Sequence, residues 1–158
     1  MPSHYPGGVR ETLALTTYIQ LVRAAESVSA RLLPGIAAAK LTESRFGVLE
    51  ALHHLGPMHQ CDLAERILTT SGNMTVVIRN LERRGLVRRA RANEDRRFIL
   101  VSLTARGEAL IRRTFPKHAA AVLEQMTVLS DTEQRTLGRL CRRVGLGPGA
   151  RGTALSRQ

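Results

Sequence analysis

Four polar side chains lie at the end of a Thr-Thr-Ser turn and in the helix predicted after it, off the apolar stripe of that helix, and their types suit hydrogen bonding to DNA base edges. They are Ser71, Asn73, Thr75 and Arg79. An Asn can bond N6 and N7 of adenine, and an Arg can bond O6 and N7 of guanine or a phosphate. The four are therefore candidates for contacts in a major groove. The alternative is that Ser71 and Asn73 only cap the helix.

A helix from about residue 72 to residue 84 would carry these side chains. Its apolar stripe consists of Met74, Val77, Ile78 and Leu81. Gly85 follows as the glycine that ends the helix. Two β-branched, alternating segments at 86–91 and 98–103 flank a charged loop and predict a hairpin. The helix and hairpin together predict a winged helix-turn-helix, in which the hairpin reaches a neighbouring minor groove.

Positive charge is concentrated in the same part of the chain. The 158 residues include 24 Lys and Arg against 13 Asp and Glu, a net charge of +11. Residues 79–113 alone hold eleven Arg and four acidic residues. Such an excess attracts polyanions, either nucleic acid or an anionic membrane. No apolar run approaches the roughly 20 residues of a membrane span, and no signal-peptide core is visible, so we expect a cytoplasmic, nucleoid-associated DNA binder without membrane contact.

Helices are predicted on both sides of this region. Apolar residues at helical spacing predict one over residues 9–36, weakened at Pro34-Gly35. Thr42 is a candidate N-cap for a second helix that ends near His54, and residues 60–68 form a short third helix. Thr104 caps a fifth helix with a bend at Pro116. The spacing of Ser130 and Glu133 is a capping box that starts a sixth.

The predicted fold class is therefore mainly α (α+β), a winged helix-turn-helix with N- and C-terminal dimerisation helices. Residues 1–8 are expected to be a flexible N-terminus. The DNA-binding domain is 41–104, and the helical dimerisation region is 9–40 with 105–146. Residues 147–158, rich in Gly and Arg, are expected to be a disordered tail.

Three segments match the motifs of one family. They are Leu63-Ala64-Glu65-Arg66-Ile67, Leu81-Glu82-Arg83-Arg84-Gly85-Leu86-Val87-Arg88-Arg89, and Asn93-Glu94-Asp95-Arg96-Arg97 with Leu100-Val101-Ser102-Leu103-Thr104 and Gly107. With these motifs, residues 42–107 resemble the MarR family of bacterial transcription regulators. The recognition helix departs from the family pattern, since the common Thr or Ser, Arg and Asp positions align with Asn73, Val76 and Arg79. A family operator consensus should therefore not be transferred to this chain.

The resemblance makes Asp95 and Arg97 the wing pair. The carboxylate would brace the guanidinium, which then enters a narrow minor groove with less loss of entropy. Arg96 is expected to contact phosphate, and Arg91 completes the candidate DNA contacts. The alternative is a solvated turn. Arg88, Arg89 and Arg91 alternate on a strand, so some of them must point away from DNA.

The apolar stripes of helices one, five and six exceed what one small core needs, so we expect a homodimer. Two winged domains would then read a pseudo-palindromic operator with half-sites about one helical turn apart. The resemblance implies a repressor that a small aromatic or phenolic ligand releases from double-stranded DNA. The sequence has no Gly-rich phosphate loop, nucleophile elbow or carboxylate pair, so we predict neither an enzyme nor a cofactor.

Two alternatives remain open. Cys61, at the start of helix three, could make the protein an oxidant-sensing repressor of the same fold. Otherwise Cys61 is a small residue that fills a groove, and Cys141 packs in an interface. Neither the cysteines nor the five His show metal-ligand spacing that supports a metal site. The second alternative is a nonspecific nucleic-acid-binding protein, which would bind random and operator duplexes equally well.

Overall fold

A computed structural model of the chain describes residues 5–91 and 99–147. Within these ranges it has six helices and a three-stranded antiparallel sheet, which confirms the predicted mainly α fold class. The chain divides into two compact units, one up to Ala121 and one from Val122 onward. The elements are α1 (Val9–Ala38), α2 (Glu43–Leu55), β1 (Met58–His59), α3 (Gln60–Arg66), α4 (Ser71–Arg83), β2 (Val87–Arg91), β3 (Ile99–Leu103), α5 (Ala105–Met126) and α6 (Asp131–Leu146).

Helix α1 continues through the point where weakening was expected. Pro34 and Gly35 lie inside it, and the helix ends only at Ala38. A proline removes one backbone donor, but the neighbouring turns keep their own hydrogen bonds. The chain leaves the helix at Lys40, whose φ is +57°. Leu41 is then buried against the core, and its N–H bonds the carbonyl oxygen of Ile36.

Helix α2 forms the centre of the first unit. Its N-cap is Thr42, as predicted, and the Thr42 hydroxyl accepts a hydrogen bond from the Arg45 N–H at 3.4 Å. Val48 and Leu49 are completely buried. They belong to one continuous core with the apolar stripe of α4 and the inward side chains of the sheet. Burial of this stripe fixes the rotation of α4 and therefore decides which of its residues face solvent.

The sheet has the strand order β1-β3-β2, with both pairs antiparallel. The hairpin of β2 and β3 runs from the pair Val87 and Leu103 to the pair Arg91 and Ile99. Strand β1 was not predicted. It contains only two residues, and Met58 pairs with Val101 in the centre of the sheet. The sheet thereby connects the N-terminal end of α3 to the hairpin.

A tight joint connects the end of α4 to the start of α5. Gly85 has a φ of +66°, the left-handed conformation expected at this position. The Thr104 hydroxyl donates to the Gly85 carbonyl oxygen at 2.6 Å and accepts from the Gly107 N–H at 3.1 Å, which confirms Thr104 as a cap. A Cβ on Gly107 would overlap the carbonyl oxygen of Leu86. Gly107 therefore permits the close approach of α5 to Leu86, the residue before β2.

The second unit contains the end of α5 and all of α6. The capping box at its start is confirmed, since the Ser130 hydroxyl accepts from the Glu133 N–H and the Glu133 carboxylate accepts from the Ser130 N–H. Gln134 Nε2 donates to the carbonyl oxygens of Met126 and Leu129 and so closes the turn between the two helices. All of α6 is described, and none of its residues is buried in the single chain.

Candidate nucleic-acid interface

Helix α4 separates its side chains cleanly into a buried and an exposed face. The four residues of the predicted stripe are all buried: Met74, Val77, Ile78 and Leu81. Asn73, Val76 and Arg79 are exposed, and their spacing of three residues places them on one face of the helix. Ser71 is exposed at the start of the helix. The face thus combines one amide, one guanidinium and one apolar side chain, a set that can distinguish base edges.

The N-cap of α4 is Thr70, so the alternative that Ser71 and Asn73 merely cap this helix is wrong. The Thr70 hydroxyl accepts from the Asn73 N–H at 3.2 Å. Asn73 Nδ2 donates to the Thr69 hydroxyl at 2.6 Å, which orients the amide. One amide proton and the amide oxygen of Asn73 are left for a base, and the Ser71 hydroxyl is not needed for the cap.

Thr75 differs from the other candidates because it is turned toward α3. Its hydroxyl accepts from Gln60 Nε2 and donates to the carbonyl oxygen of Ser71, both at 2.9 Å. Thr75 is half-buried. It therefore fixes α4 against the first residue of α3, and the direct groove contact expected of Thr75 stays a prediction. Gln60 was missed because a polar residue at a helix start gives no signal of a partner fifteen residues away.

The wing candidates are only partly within the described structure. Arg91 is the last residue of β2, and its side chain lies outside the described part. Asp95, Arg96 and Arg97 also lie outside the described residues.

Two arginines nearer the start of the hairpin form hydrogen bonds to other side chains of the chain. Arg88 Nε donates to the Ser102 hydroxyl across the sheet, and Arg89 Nε donates to the Glu82 carboxylate on α4, both at 2.9 Å. The hydrogen bond from Arg89 keeps the pKa of Glu82 below its ordinary value.

Cys61 is exposed in the first turn of α3, so the expectation that it fills a groove is wrong. Its thiol is 3.5 Å from a carboxylate oxygen of Asp62. Cys141 is half-buried on α6. Within the described ranges, no group of three His, Cys, Asp or Glu side chains is arranged to hold a metal ion.

Aromatic and charged side chains connect α2 to α5. His53 Nδ1 lies 3.2 Å from Glu108 Oε2, and the Arg112 guanidinium donates to the same carboxylate at 2.6 Å. Both hydrogen bonds keep the pKa of Glu108 below its ordinary value, and the one with His53 has the larger effect. The ring centroids of Phe46 and His118 are 4.6 Å apart. These contacts connect α5 to α2 at two places along the helices.

A cavity of about 280 Å³ lies between α1 and α5. Four of its lining residues carry basic side chains: Arg31, Arg113, Lys117 and His118. Leu32 of α1 and Ala side chains of both helices supply an apolar lining. The volume is near the lower end of the range for small-molecule sites and suits a single ring. Sequence patterns did not indicate this cavity, because its residues come together only when the two helices pack.

These features define a winged helix DNA-binding protein, and comparisons with known proteins specify the family. The sequence model of the MarR family matches residues 41–99. The transcriptional regulator MhqR from Bacillus subtilis is 34% identical over 133 residues, which are 84% of this chain and 92% of MhqR. The chain belongs to the MarR family of DNA-binding transcriptional regulators. Its relatives are regulators rather than enzymes.

Solved structures agree with this assignment. Sco3205, a MarR family regulator from Streptomyces coelicolor solved in complex with DNA, has 25% identity and a TM-score of 0.80 and covers 92% of each chain. BpsR from Bordetella bronchiseptica, whose DNA binding is regulated by 6-hydroxynicotinic acid, has 27% identity and a TM-score of 0.74. That match covers 82% of this chain and 98% of BpsR. Among the described helices, none is both long and apolar enough to span a membrane.

Proposed function

We propose that this regulator is a homodimeric repressor that reads a pseudo-palindromic operator and leaves it when a small aromatic acid binds. The observation that carries the DNA-reading part is the outward face of α4, with Asn73, Val76 and Arg79 on one side of a helix whose opposite side is buried. In this protein the wing residues Arg91, Asp95, Arg96 and Arg97 would add contacts beside the major-groove helix.

Exposed apolar side chains support the homodimer. On α1, Leu13 and Tyr18 are 67% and 65% exposed. On α6, Val144 is 65% exposed, and Leu137 and Leu140 are more than a third exposed. Helices with such stripes are stabilised by a second apolar surface. A twofold dimer would supply that surface and would also pair two α4 helices for two half-sites.

Arg79→Gln tests the base-reading face. Against an operator selected from random duplexes, we expect a loss of about 10- to 100-fold in affinity and a relaxed preference at one position of each half-site. Arg135→Gln on α6 removes the same charge and should keep the base preference. If Arg79→Gln keeps it as well, Arg79 does not read the operator.

The cavity between α1 and α5 is the proposed effector site. Its cations can pair with a carboxylate, while the apolar lining and the His118 ring contact an aromatic ring. His118 also packs on Phe46, whose helix α2 shares its core with α4. A ligand that prefers one arrangement of α5 and α2 would therefore shift the position of the recognition helix. The regulation of BpsR by 6-hydroxynicotinic acid supports this class of ligand.

Lys117→Gln tests this site. Hydroxylated aromatic acids, beginning with 6-hydroxynicotinic acid, would be titrated into the protein–operator complex. We expect one of them to release DNA and Lys117→Gln to require about tenfold more of it, because one carboxylate contact is lost. Operator affinity without ligand should stay unchanged. Failure of every acid to release DNA, or equal release from wild type and variant, would reject the site.

The oxidant-sensing alternative has one observation in its favour, the exposure of Cys61. If it were correct, peroxide would release the wild-type protein from DNA and would fail to release Cys61→Ser. Cys141→Ser is the matched control. Full release of Cys61→Ser by peroxide would eliminate the alternative.

A further inference from the structure

A second cavity, of about 450 Å³, lies where the α1–α2 turn, the end of α4 and the first turns of α5 meet. Four of its lining residues carry basic side chains: Lys40, Arg84, Arg106 and Arg113. Among the described residues, no acidic side chain lines it. It meets the proposed effector site at Ala38, Ala39 and Arg113, but the other cations differ.

The four cations lack an internal counter-charge within residues 5–91 and 99–147. The ion pairs there use Glu82 and Glu108, whose partners are Arg89, His53 and Arg112. Arg84 Nη1 donates to the carbonyl oxygen of Lys40 at 2.6 Å, which leaves its other donors available. Like charges held close together raise the energy of the empty cavity and favour an anion inside it.

The lining also indicates the chemistry of the anion. The uncharged wall consists of Ala and Leu side chains, without an aromatic ring on which a ligand ring could stack. Guanidinium groups bind carboxylate and phosphate oxygens through paired hydrogen bonds. We propose that this cavity binds a small polyanion that carries phosphate groups or several carboxylates. Such an anion would join the α1–α2 turn to the ends of α4 and α5.

The position of the cavity favours a free small molecule over the DNA backbone. Arg84 caps the C-terminal end of α4. Ser71 begins the helix at the opposite end, and a rise of about 1.5 Å per residue separates the two ends by about 20 Å. If the first turns of α4 enter the groove, the cavity lies away from the DNA. Because binding is measured on the free protein, this proposal does not depend on effector-driven release.

The test is isothermal titration of the intact protein with pyrophosphate and, separately, with citrate, in buffers of matched ionic strength. We expect saturable binding of at least one probe and a rise in Tm of about 5 °C near 100 times Kd. Binding of pyrophosphate but not citrate would identify a phosphate site. Binding of citrate but not pyrophosphate would identify a polycarboxylate site. Absence of saturable binding for both would overturn the proposal.

Arg106→Gln should weaken the binding of the probe by about tenfold or more. Arg106 is exposed at the start of α5, and it lines this cavity but not the proposed effector site. Arg142→Gln on α6 removes the same charge and should bind as wild type does. Equal weakening in both variants would show that general charge, not the cavity, attracts the probe. If Arg106→Gln instead reduces the salt dependence of binding to random duplex while pyrophosphate binding is unchanged, the cavity contacts DNA and the proposal is wrong.

Discussion

Nε of Arg89 on β2 donates a hydrogen bond to Oε2 of Glu82 on α4 at a distance of 2.9 Å. This ion pair links the recognition helix directly to the first strand of the wing. Both side chains are about one-third exposed, so the pair contributes little to global stability. Its consequence is geometric, because it fixes the direction in which β2 leaves α4.

Glu82→Gln should therefore affect DNA binding more than folding. We expect the free energy of unfolding to fall by less than about 1 kcal/mol. Operator affinity should fall several-fold, because the wing is held less firmly relative to α4. Glu65→Gln on α3 removes the same charge without breaking a described ion pair. An affinity that rises equally in both variants would show that only the charge matters, and the positioning role would be lost.

Thr70 and Ser71 are adjacent hydroxyl residues with opposite expected effects. Thr70→Ala removes the N-cap of α4 and should cost about 1 kcal/mol of unfolding free energy. Ser71→Ala should leave stability within about 0.5 kcal/mol and weaken operator binding. Chemical denaturation and fluorescence anisotropy separate the two effects. Loss of stability in Ser71→Ala but not in Thr70→Ala would reverse our assignment of the cap.

Gly107→Ala should destabilise the first unit strongly, because the new Cβ overlaps the Leu86 carbonyl oxygen and backbone must move. We expect a loss of about 3 kcal/mol or more in unfolding free energy. Gly47→Ala in α2 is the matched control, since its Cβ would make ordinary contacts of 3.7 Å with Ile67. That variant should be neutral or stabilised by up to about 1 kcal/mol. A tolerated Gly107→Ala would contradict the close approach of α5 to the Leu86 backbone.

Acid should weaken the connection between α2 and α5 at Glu108. Hydrogen bonds from His53 and Arg112 lower the pKa of this carboxyl group in the folded protein. The contribution of the ionised Glu108 carboxylate to the free energy of unfolding is therefore fully present above the ordinary carboxyl pKa. It is lost as the pH falls through the lowered pKa. Stability measured against pH should show a smaller acid-side decline in Glu108→Gln than in wild type. An identical decline would show that the pair does not contribute.

The helical framework was largely predictable because local signals coincide with tertiary packing. The caps at Thr42, Thr104 and Ser130 and the glycine after α4 were all predicted from residue type and spacing. Strand β1 was missed because a two-residue strand has no period and exists only through its pairing with β3. The alternative that Ser71 and Asn73 cap α4 did not identify Thr70, because several adjacent Thr, Ser and Asn residues are equally good N-cap types.

The site was predictable in part for similar reasons. The period of the apolar stripe in α4 decides that Asn73, Val76 and Arg79 face outward. The same period could not show that Thr75 bonds Gln60, since that contact depends on where α3 lies. Both basic cavities form between elements far apart in sequence. Their lysines and arginines look like ordinary surface residues along the chain.

The most direct test of the central claim compares a duplex selected from a random pool with a scrambled duplex of the same length and composition. Anisotropy titrations at about 0.15 M ionic strength would give both dissociation constants. A sequence-reading dimer predicts at least about 10³-fold tighter binding of the selected duplex, with two chains bound to each one. Equal affinity for the two duplexes would contradict the account and favour a nonspecific nucleic-acid-binding protein.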